Sequence, residues 1–442
     1  MMHIENYIKN KVVSFVLFFF YLLLVSINYS EIISPIYIEM DAIDFASVDY
    51  WAKLILITSV FSITLGNEIK RPSQLVFLII FLFIITPTII VAPYLHYRYQ
   101  YYEVLTCYIV LFYILSWSVT SLSSLFIKDI VLFRQKNKLS YEGNLVKFLA
   151  FVTVITTFYV LYKGYSTFDL SVSGYSLRRL NGRELFPGGA ITSYIVSVVN
   201  SAIVLLLISY SVIYRKVFYL VVSAVYVIVD WGVFGTKITF ILSIMTFFTM
   251  LHYSLGRRLT VTLFLIPMLL LLMLSCFLYY FYDNEVFADI TIRRIVIVPA
   301  IISQAYADYI SHTSPTLYAD TGLYRFFGQV IERPTYIIGE QYFGKPDMNS
   351  NTNLIIMEVV RLGDIGVLLA FLVISFILIV LDRLYSRNYN PIYIIIALLF
   401  GVRITEQALT TLLLSSGVTI MILTAFVLDR KSKVIQHTRV EI

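Results

Sequence analysis

Runs of about twenty apolar residues recur along the whole chain, separated by short stretches that carry most of its charge. A helix that spans a bilayer needs about 20 consecutive apolar residues. Candidate spans run over 12–29, 51–66, 74–92, 103–126, 146–163, 192–213, 217–233, 238–255, 259–281, 354–381, 391–405 and 409–428. The pattern predicts an all-α polytopic membrane protein, residues 1–442 forming a single transmembrane domain of about twelve helices. Composition agrees. Charged residues make up 14% of the chain, against roughly a quarter in a soluble domain. With 59% hydrophobic residues and a mean hydropathy of +0.83, the excess apolar surface has to face lipid. The 35 tyrosines suit headgroup depth, where an amphipathic ring keeps its hydroxyl wet.

The distribution of Lys and Arg gives an orientation, since basic residues concentrate in cytoplasmic loops. With the N-terminus inside, the expected cytoplasmic segments hold nineteen of the 33 basic residues and seven of the 27 acids. Both termini then lie in the cytoplasm, and the N-terminal run is a retained signal anchor, because no small-residue cleavage site follows it. The expected outer side keeps two long connections, 164–191 and 283–353, and connections of that length are usually functional. Within the second, residues 295–310 are expected to form a re-entrant or interface-lying helix. The chain has no internal repeat. Cys107 and Cys276 lie in apolar runs and indicate no disulfide framework, and no spacing of His or Cys suggests a metal site.

Three clusters carry candidate chemistry. SLRRLNGRELFPGG places Arg178, Arg179 and Arg183 in the first long outer connection, closed by Pro187, Gly188 and Gly189. Guanidinium forks contact phosphate in two places at once, although a basic cluster also serves simply to anchor on anionic lipid. GVFGTKITF puts Lys237 at the outer mouth of a tight turn, where it either snorkels or points into a shared cavity. The large loop opens with Arg293 and Arg294. It continues through Tyr306, Asp308 and Tyr309, then Arg325, then Glu332, Arg333 and Tyr336. It ends in an Asn-rich stretch, Asn349, Asn351 and Asn353, before a helix that carries Glu358 and Arg361 three positions apart. The bland alternatives are a capping Asn and a structural ion pair. Together with Arg403, these cations collect on the outer side, where the orientation rule disfavours them.

The stretches FGTKITFIL (234–242), IRRIVIVPAIISQAYADYI (292–310) and NSNTNLIIMEVVRLGDIGVLL (349–369) resemble the oligosaccharide repeat-unit polymerases, the Wzy-type O-antigen and capsule polymerases. The resemblance implies a GT-C-like glycosyltransferase architecture with a large periplasmic loop in a bacterial inner membrane. It implies transfer of a growing glycan from undecaprenyl diphosphate to a hydroxyl on an incoming lipid-linked repeat unit. Donor and acceptor are then the partners, with membrane lipids around them and a chain-length regulator and a flippase nearby. Nucleic acid, metal and cofactor are not expected. Under this resemblance Arg178, Arg179, Arg183, Lys237, Arg293, Arg294, Arg333, Tyr309, Asn353 and Arg361 bind substrate and diphosphate. Asp308, Glu332 or Glu358 is the general base, and the sequence leaves the three acids equal. Two other activities share the architecture: a ligase that moves finished polymer to lipid A core, and a transporter for lipid-linked sugar. Ligases of this type usually carry a histidine in the large loop, and here that loop has only His312, in a segment that does not look like the ligase motif. Transporters are often built from repeated halves with polar groups at midplane.

Overall fold

The structure, a computed structural model, describes residues 2–37, 40–96, 101–126, 141–171, 174–186, 191–321, 324 and 328–427. Arg325, Pro187, Gly188 and Gly189, together with the basic residues expected in the cytoplasm at 128–138 and beyond 427, lie outside them. The described residues are helical with no strand; two isolated β-bridges, Met40 with Leu95 and Glu68 with Thr260, tie loops together. The chain divides into two compact units. The first takes 1–124, 259–379 and 404–409, and the second takes 125–258, 380–403 and 410–442.

The first unit begins with α1 (Met2–Ile27), α2 (Val48–Leu65), α3 (Pro72–Ile80) and α4 (Tyr102–Phe126). Helix α3 continues through wide π-helical turns to a last residue at Tyr94, and 89% of its apolar window is buried. Its register slips because Pro87 and Pro93 supply no N–H, and the wide turns leave carbonyls without helical partners. Such groups must be satisfied inside the protein. Tyr21 Oη donates to Leu82 O at 3.2 Å, Tyr102 Oη to Thr88 O at 2.7 Å, and Tyr29 Oη to Tyr94 O at 2.9 Å. The irregular helix is thereby bound to α1 and α4 by its own defects.

The second unit holds α5 (Tyr141–Gly164), α6 (Tyr175–Leu185), α7 (Ile191–Val198), α8 (Val204–Tyr214), α9 (Val217–Phe234) and α10 (Lys237–Ser254). A π-helical segment, Val199–Ile203, joins α7 to α8. Val160, Phe186, Val196, Val229 and Val233 form a buried cluster that draws α5, α6, α7 and α9 together. Two glycines permit the approach: a side chain at Gly232 would enter the Phe168 ring, and one at Gly164 would enter Val233.

The chain then returns to the first unit through α11 (Val261–Tyr282), α12 (Val286–Ile290), α13 (Val298–His312), α14 (Pro334–Phe343), α15 (Leu354–Leu362) and most of α16 (Asp364–Asn388). The long connection 283–353 is thus folded. Its helical stretch runs from Arg293 through a π-helical turn into α13, longer than the 295–310 expected, and Gln304 is buried there with its amide donating to Ala92 O at 2.8 Å. Helices α17 (Ile392–Ile404), α18 (Leu409–Leu414) and α19 (Val418–Val427) complete the fold.

Among the described residues, nine helices are long and apolar enough to cross a membrane. Four of the expected spans differ, and the one expected at 391–405 is the 13-residue α17, too short to be among the nine. The span expected at 354–381 breaks at Gly363, whose φ of +61° an L side chain rarely adopts, and α15 is buried on every side. The span expected at 409–428 breaks before Gly417, at φ +74°. Helix α10 reaches 18 residues but carries Lys237 and His252, and is not among the nine. Continuous apolarity conceals the breaks at Gly363 and Gly417, because a glycine break leaves hydropathy unchanged.

Candidate functional site

Each unit has its own polar neighbourhood. In the second, consecutive arginines of α6 face opposite ways, since successive helical residues are turned by about 100°. Arg178 is buried. Its Nη1 donates to Asp169 Oδ2 at 2.8 Å, its Nη2 donates to Ser171 O at 2.7 Å, and its guanidinium lies 5.2 Å from the centre of the Trp231 ring. That side chain fastens α6 to the end of α9. The Ser171 hydroxyl and backbone N–H, with Arg178 beside them, hold the Asp169 carboxyl below its ordinary range. Arg179 is exposed and lines a cavity of about 300 Å³ with Gly182, Phe186, Ser193, Val196, Ser197, Asn200, Phe234 and Thr236. The register explains the set. Residues 179, 182 and 186 share one face of α6, and 193, 196, 197 and 200 share one face of α7 and its continuation. Arg183 belongs to α6, but its side chain lies outside the described residues.

Behind this cavity stands an acid, held by an amide and a hydroxyl of its wall. Asp230, in α9, is buried. Its Oδ1 accepts from Asn200 Nδ2 at 2.8 Å and its Oδ2 accepts from the Thr236 hydroxyl. Thr239 Oγ1 donates to Asn200 Oδ1 at 2.5 Å. Lys237, next in sequence after Thr236, is exposed at the first turn of α10. A carboxylate in an apolar run is a recognisable signal in sequence; VIVDWGVF carries it.

In the first unit the structure joins Glu358 and Arg361 to two loop residues. Arg361 Nε donates to both oxygens of Asp320 at 3.2 Å, its Nη2 donates to Asp320 Oδ2 at 2.7 Å, and its Nη1 reaches Glu358 Oε1 at 3.4 Å. Tyr318 covers the guanidinium at 5.0 Å and donates to Glu358 Oε2 at 2.5 Å. Leu409 N donates to Glu358 Oε1 at 3.0 Å. Burial, and then the Glu358 carboxylate, push the Tyr318 hydroxyl far above its ordinary pKa. Arg361, Glu358 and Asp320 are 4%, 0% and 5% exposed, so this cluster is closed to a ligand. Asn353 caps α15, its Oδ1 accepting from Ile356 N at 3.1 Å.

The remaining candidates of that unit are scattered. Asp308 is partly exposed on α13. Its Oδ2 accepts from Tyr342 Oη at 2.7 Å, and its Oδ1 lies 3.7 Å from Nδ1 of the exposed His312. Tyr309 is buried on the same helix, which raises its pKa. Arg293 pairs with Asp289 at 2.5 Å and lies over Tyr37, which donates to the same carboxylate at 2.6 Å. Arg294, Glu332 and Arg333 are exposed, and Arg333 precedes α14. By unit, Arg178, Arg179, Arg183 and Lys237 belong to the second, and Arg293, Arg294, Arg333 and Arg361 to the first.

No family model matches the chain, and neither a curated protein nor a solved structure is similar to it.

Proposed function

We propose that the chain is a membrane glycosyltransferase, an oligosaccharide repeat-unit polymerase of the Wzy type that joins undecaprenyl-diphosphate-linked units into O-antigen or capsular polysaccharide. One observation carries the proposal. Two stretches remote in sequence, SLRRLNGRELF and FGTK, meet at a single cavity in which a guanidinium faces an amide and hydroxyls. In this proposal Arg179 and Lys237 hold the diphosphate of a glycolipid. As the bond from the sugar C1 to the diphosphate oxygen breaks, charge builds on the leaving diphosphate, and pre-positioned cations stabilise it. The acceptor hydroxyl forms the new C1–O bond and gives its proton to a carboxylate. Of the three acids weighed as that base, Glu358 has both oxygens occupied in a closed cluster, and Glu332 lies exposed before α14. Within the first unit, Asp308 is the acid of the three that is both accessible and held in place by a donor, Tyr342. The topology proposed with this activity has about twelve spans, counting α10 and the short apolar helices. Both termini face the cytoplasm of a bacterial cell and transfer occurs at the periplasmic face of the inner membrane.

A ligase is the second reading, favoured by the position of His312 beside Asp308. Deletion in the source cell separates the readings. Loss of a polymerase leaves lipid A core bearing one repeat unit, loss of a ligase leaves polymer on undecaprenyl diphosphate, and loss of a transporter leaves no glycan outside. A deletion strain that keeps its full polymer ladder would overturn all three.

A further inference from the structure

The wall of the α6 cavity has a polarity that Arg179 does not share. Asp230 is buried, and as a carboxylate it offers only acceptors, with both oxygens engaged. That fixes the groups around it. The Asn200 amide must turn its nitrogen toward Asp230, and Thr239 donates to its oxygen, so the amide has one orientation. Thr236 gives its hydroxyl proton to the carboxylate of Asp230, the closer of its two acceptors, the other being Thr239 Oγ1 at 3.4 Å. It stands at the N-cap of α10, a position where threonine normally accepts from the helix N–H groups, yet its side chain makes no such bond. The backbone around Asn200 is also unusual, since the residue sits in the π-helical segment Val199–Ile203, an irregularity frequent at functional sites.

Both fixed groups line the cavity. Asn200 Nδ2 has used one of its two hydrogens on Asp230 and keeps one to donate. The Thr236 oxygen has given its proton and keeps a lone pair to accept. One donor beside one acceptor matches a hydroxyl, which accepts and donates in the same place. It does not match a phosphate oxygen, which only accepts and would meet the Thr236 lone pair.

We infer that Asn200 and Thr236 form a sugar-hydroxyl subsite in the α6 cavity, held in that polarity by Asp230 as a positioning residue, and separate in role from the anion contact of Arg179. This rests on the reading of the cavity as a glycolipid diphosphate site.

The test compares two probes on purified protein in nanodiscs: undecaprenyl diphosphate, and the lipid-linked repeat unit extracted from cells that lack this protein. Removing one hydrogen bond to a hydroxyl is worth about tenfold in affinity. Thr236→Val is therefore expected to weaken the lipid-linked repeat unit by about tenfold while leaving undecaprenyl diphosphate within about twofold. Thr236→Ser restores the hydroxyl and is expected to bind both probes as the wild type does. Asp230→Asn, which can donate where Asp230 accepts, is expected to behave as Thr236→Val does. If it fails to fold, the Thr236 pair decides alone. Arg179→Ala is expected to weaken both probes. If it does, and Thr236→Val weakens both equally or neither, the hydroxyl subsite is wrong and the diphosphate reading stands. If the wild type binds neither probe, the diphosphate reading fails first.

Discussion

Two arginine-bearing regions, α15 in the first unit and α6 in the second, hold guanidinium groups in an apolar protein by opposite means. Around α15, Arg361 is enclosed with Asp320 and Glu358, and Tyr318 lies over it. Asp320, Glu358 and Tyr318, which contact it, all belong to the same unit. Around α6 the work is divided between neighbours. Arg178 turns inward to Asp169 and Trp231, and Arg179 turns outward to a cavity. The acid nearest that cavity, Asp230, is engaged with Asn200 and Thr236. The difference teaches that a cation in a loop motif marks a candidate site when it is exposed to a cavity, as Arg179 is, and not when it is enclosed, as Arg361 is. Arg361 and Arg179 look alike in sequence and separate by burial, the first enclosed and the second exposed at a cavity.

The comparison breaks most visibly at Arg361. Arg361→Ala would leave Asp320 and Glu358 buried without a cation, and removing one partner of a buried ion pair costs about 3–5 kcal/mol. The expected outcome is poor accumulation, or a melting temperature in nanodiscs many degrees below wild type. Binding of undecaprenyl diphosphate, per folded molecule, should be unchanged. A variant that melts as the wild type does but loses the lipid would move Arg361 into the ligand site and erase the contrast.

Arg179→Ala should do the reverse. An exposed side chain is usually worth within about 0.5 kcal/mol of stability. A charge-assisted contact to phosphate is worth about 1.5–3 kcal/mol, or roughly 10- to 100-fold in affinity. Melting should be preserved, binding should weaken by that factor, and the cellular polymer ladder should shorten. Preserved binding would show that α6 has no more ligand chemistry than α15.

Arg178→Lys sharpens the pair of neighbours. An ammonium cannot fork between Asp169 and the Ser171 carbonyl while lying flat on Trp231. A loss of about 1–2 kcal/mol in stability is expected, from the weakened cation–π contact and one lost hydrogen bond. Affinity for undecaprenyl diphosphate should fall by a smaller factor than in Arg179→Ala, since lysine keeps the charge and α6 keeps its place. A larger loss of binding than in Arg179→Ala would reverse the inward and outward assignments.

How much of this was legible follows from the same contrast. The membrane class was legible because hydropathy is a sum over residues, and α2, α4, α9 and α11 lie within a few positions of the expected spans. Breaks were not, because Gly363 and Gly417 change φ and leave hydropathy untouched. The pair Glu358–Arg361 was legible from its helical spacing of three. Its closure was not, since Asp320 and Tyr318 come from 38 or more positions away and carry no periodic signal. Arg178 and Arg179 were named together because composition cannot tell which face of a short helix meets α9. Asp230 was legible in principle, as a carboxylate inside an apolar run, and was eclipsed by the search for cations.

The smallest effect tests what keeps Arg178 inward. Asp169 is held below its ordinary range chiefly by the Ser171 hydroxyl and backbone N–H, and then by Arg178. A carboxyl whose folded pKa is depressed adds stability that is fully present above its unfolded pKa and is lost as pH falls through the folded one. The unfolded value is about 3.9, so the contribution is intact at neutral pH and disappears below about pH 4. Asp169→Asn should therefore melt slightly lower than wild type at pH 7, and the gap should close on acidification. The gap should be small, because the Asp169 side chain is 46% exposed where Asp320 is 4%. A gap that persists unchanged to pH 3 would mean that the Asp169 charge contributes nothing. Trp231 and the Ser171 carbonyl alone would then fix Arg178, and the second unit would hold its inward arginine without an acid, a deeper contrast with α15 than the one drawn from the ion pairs.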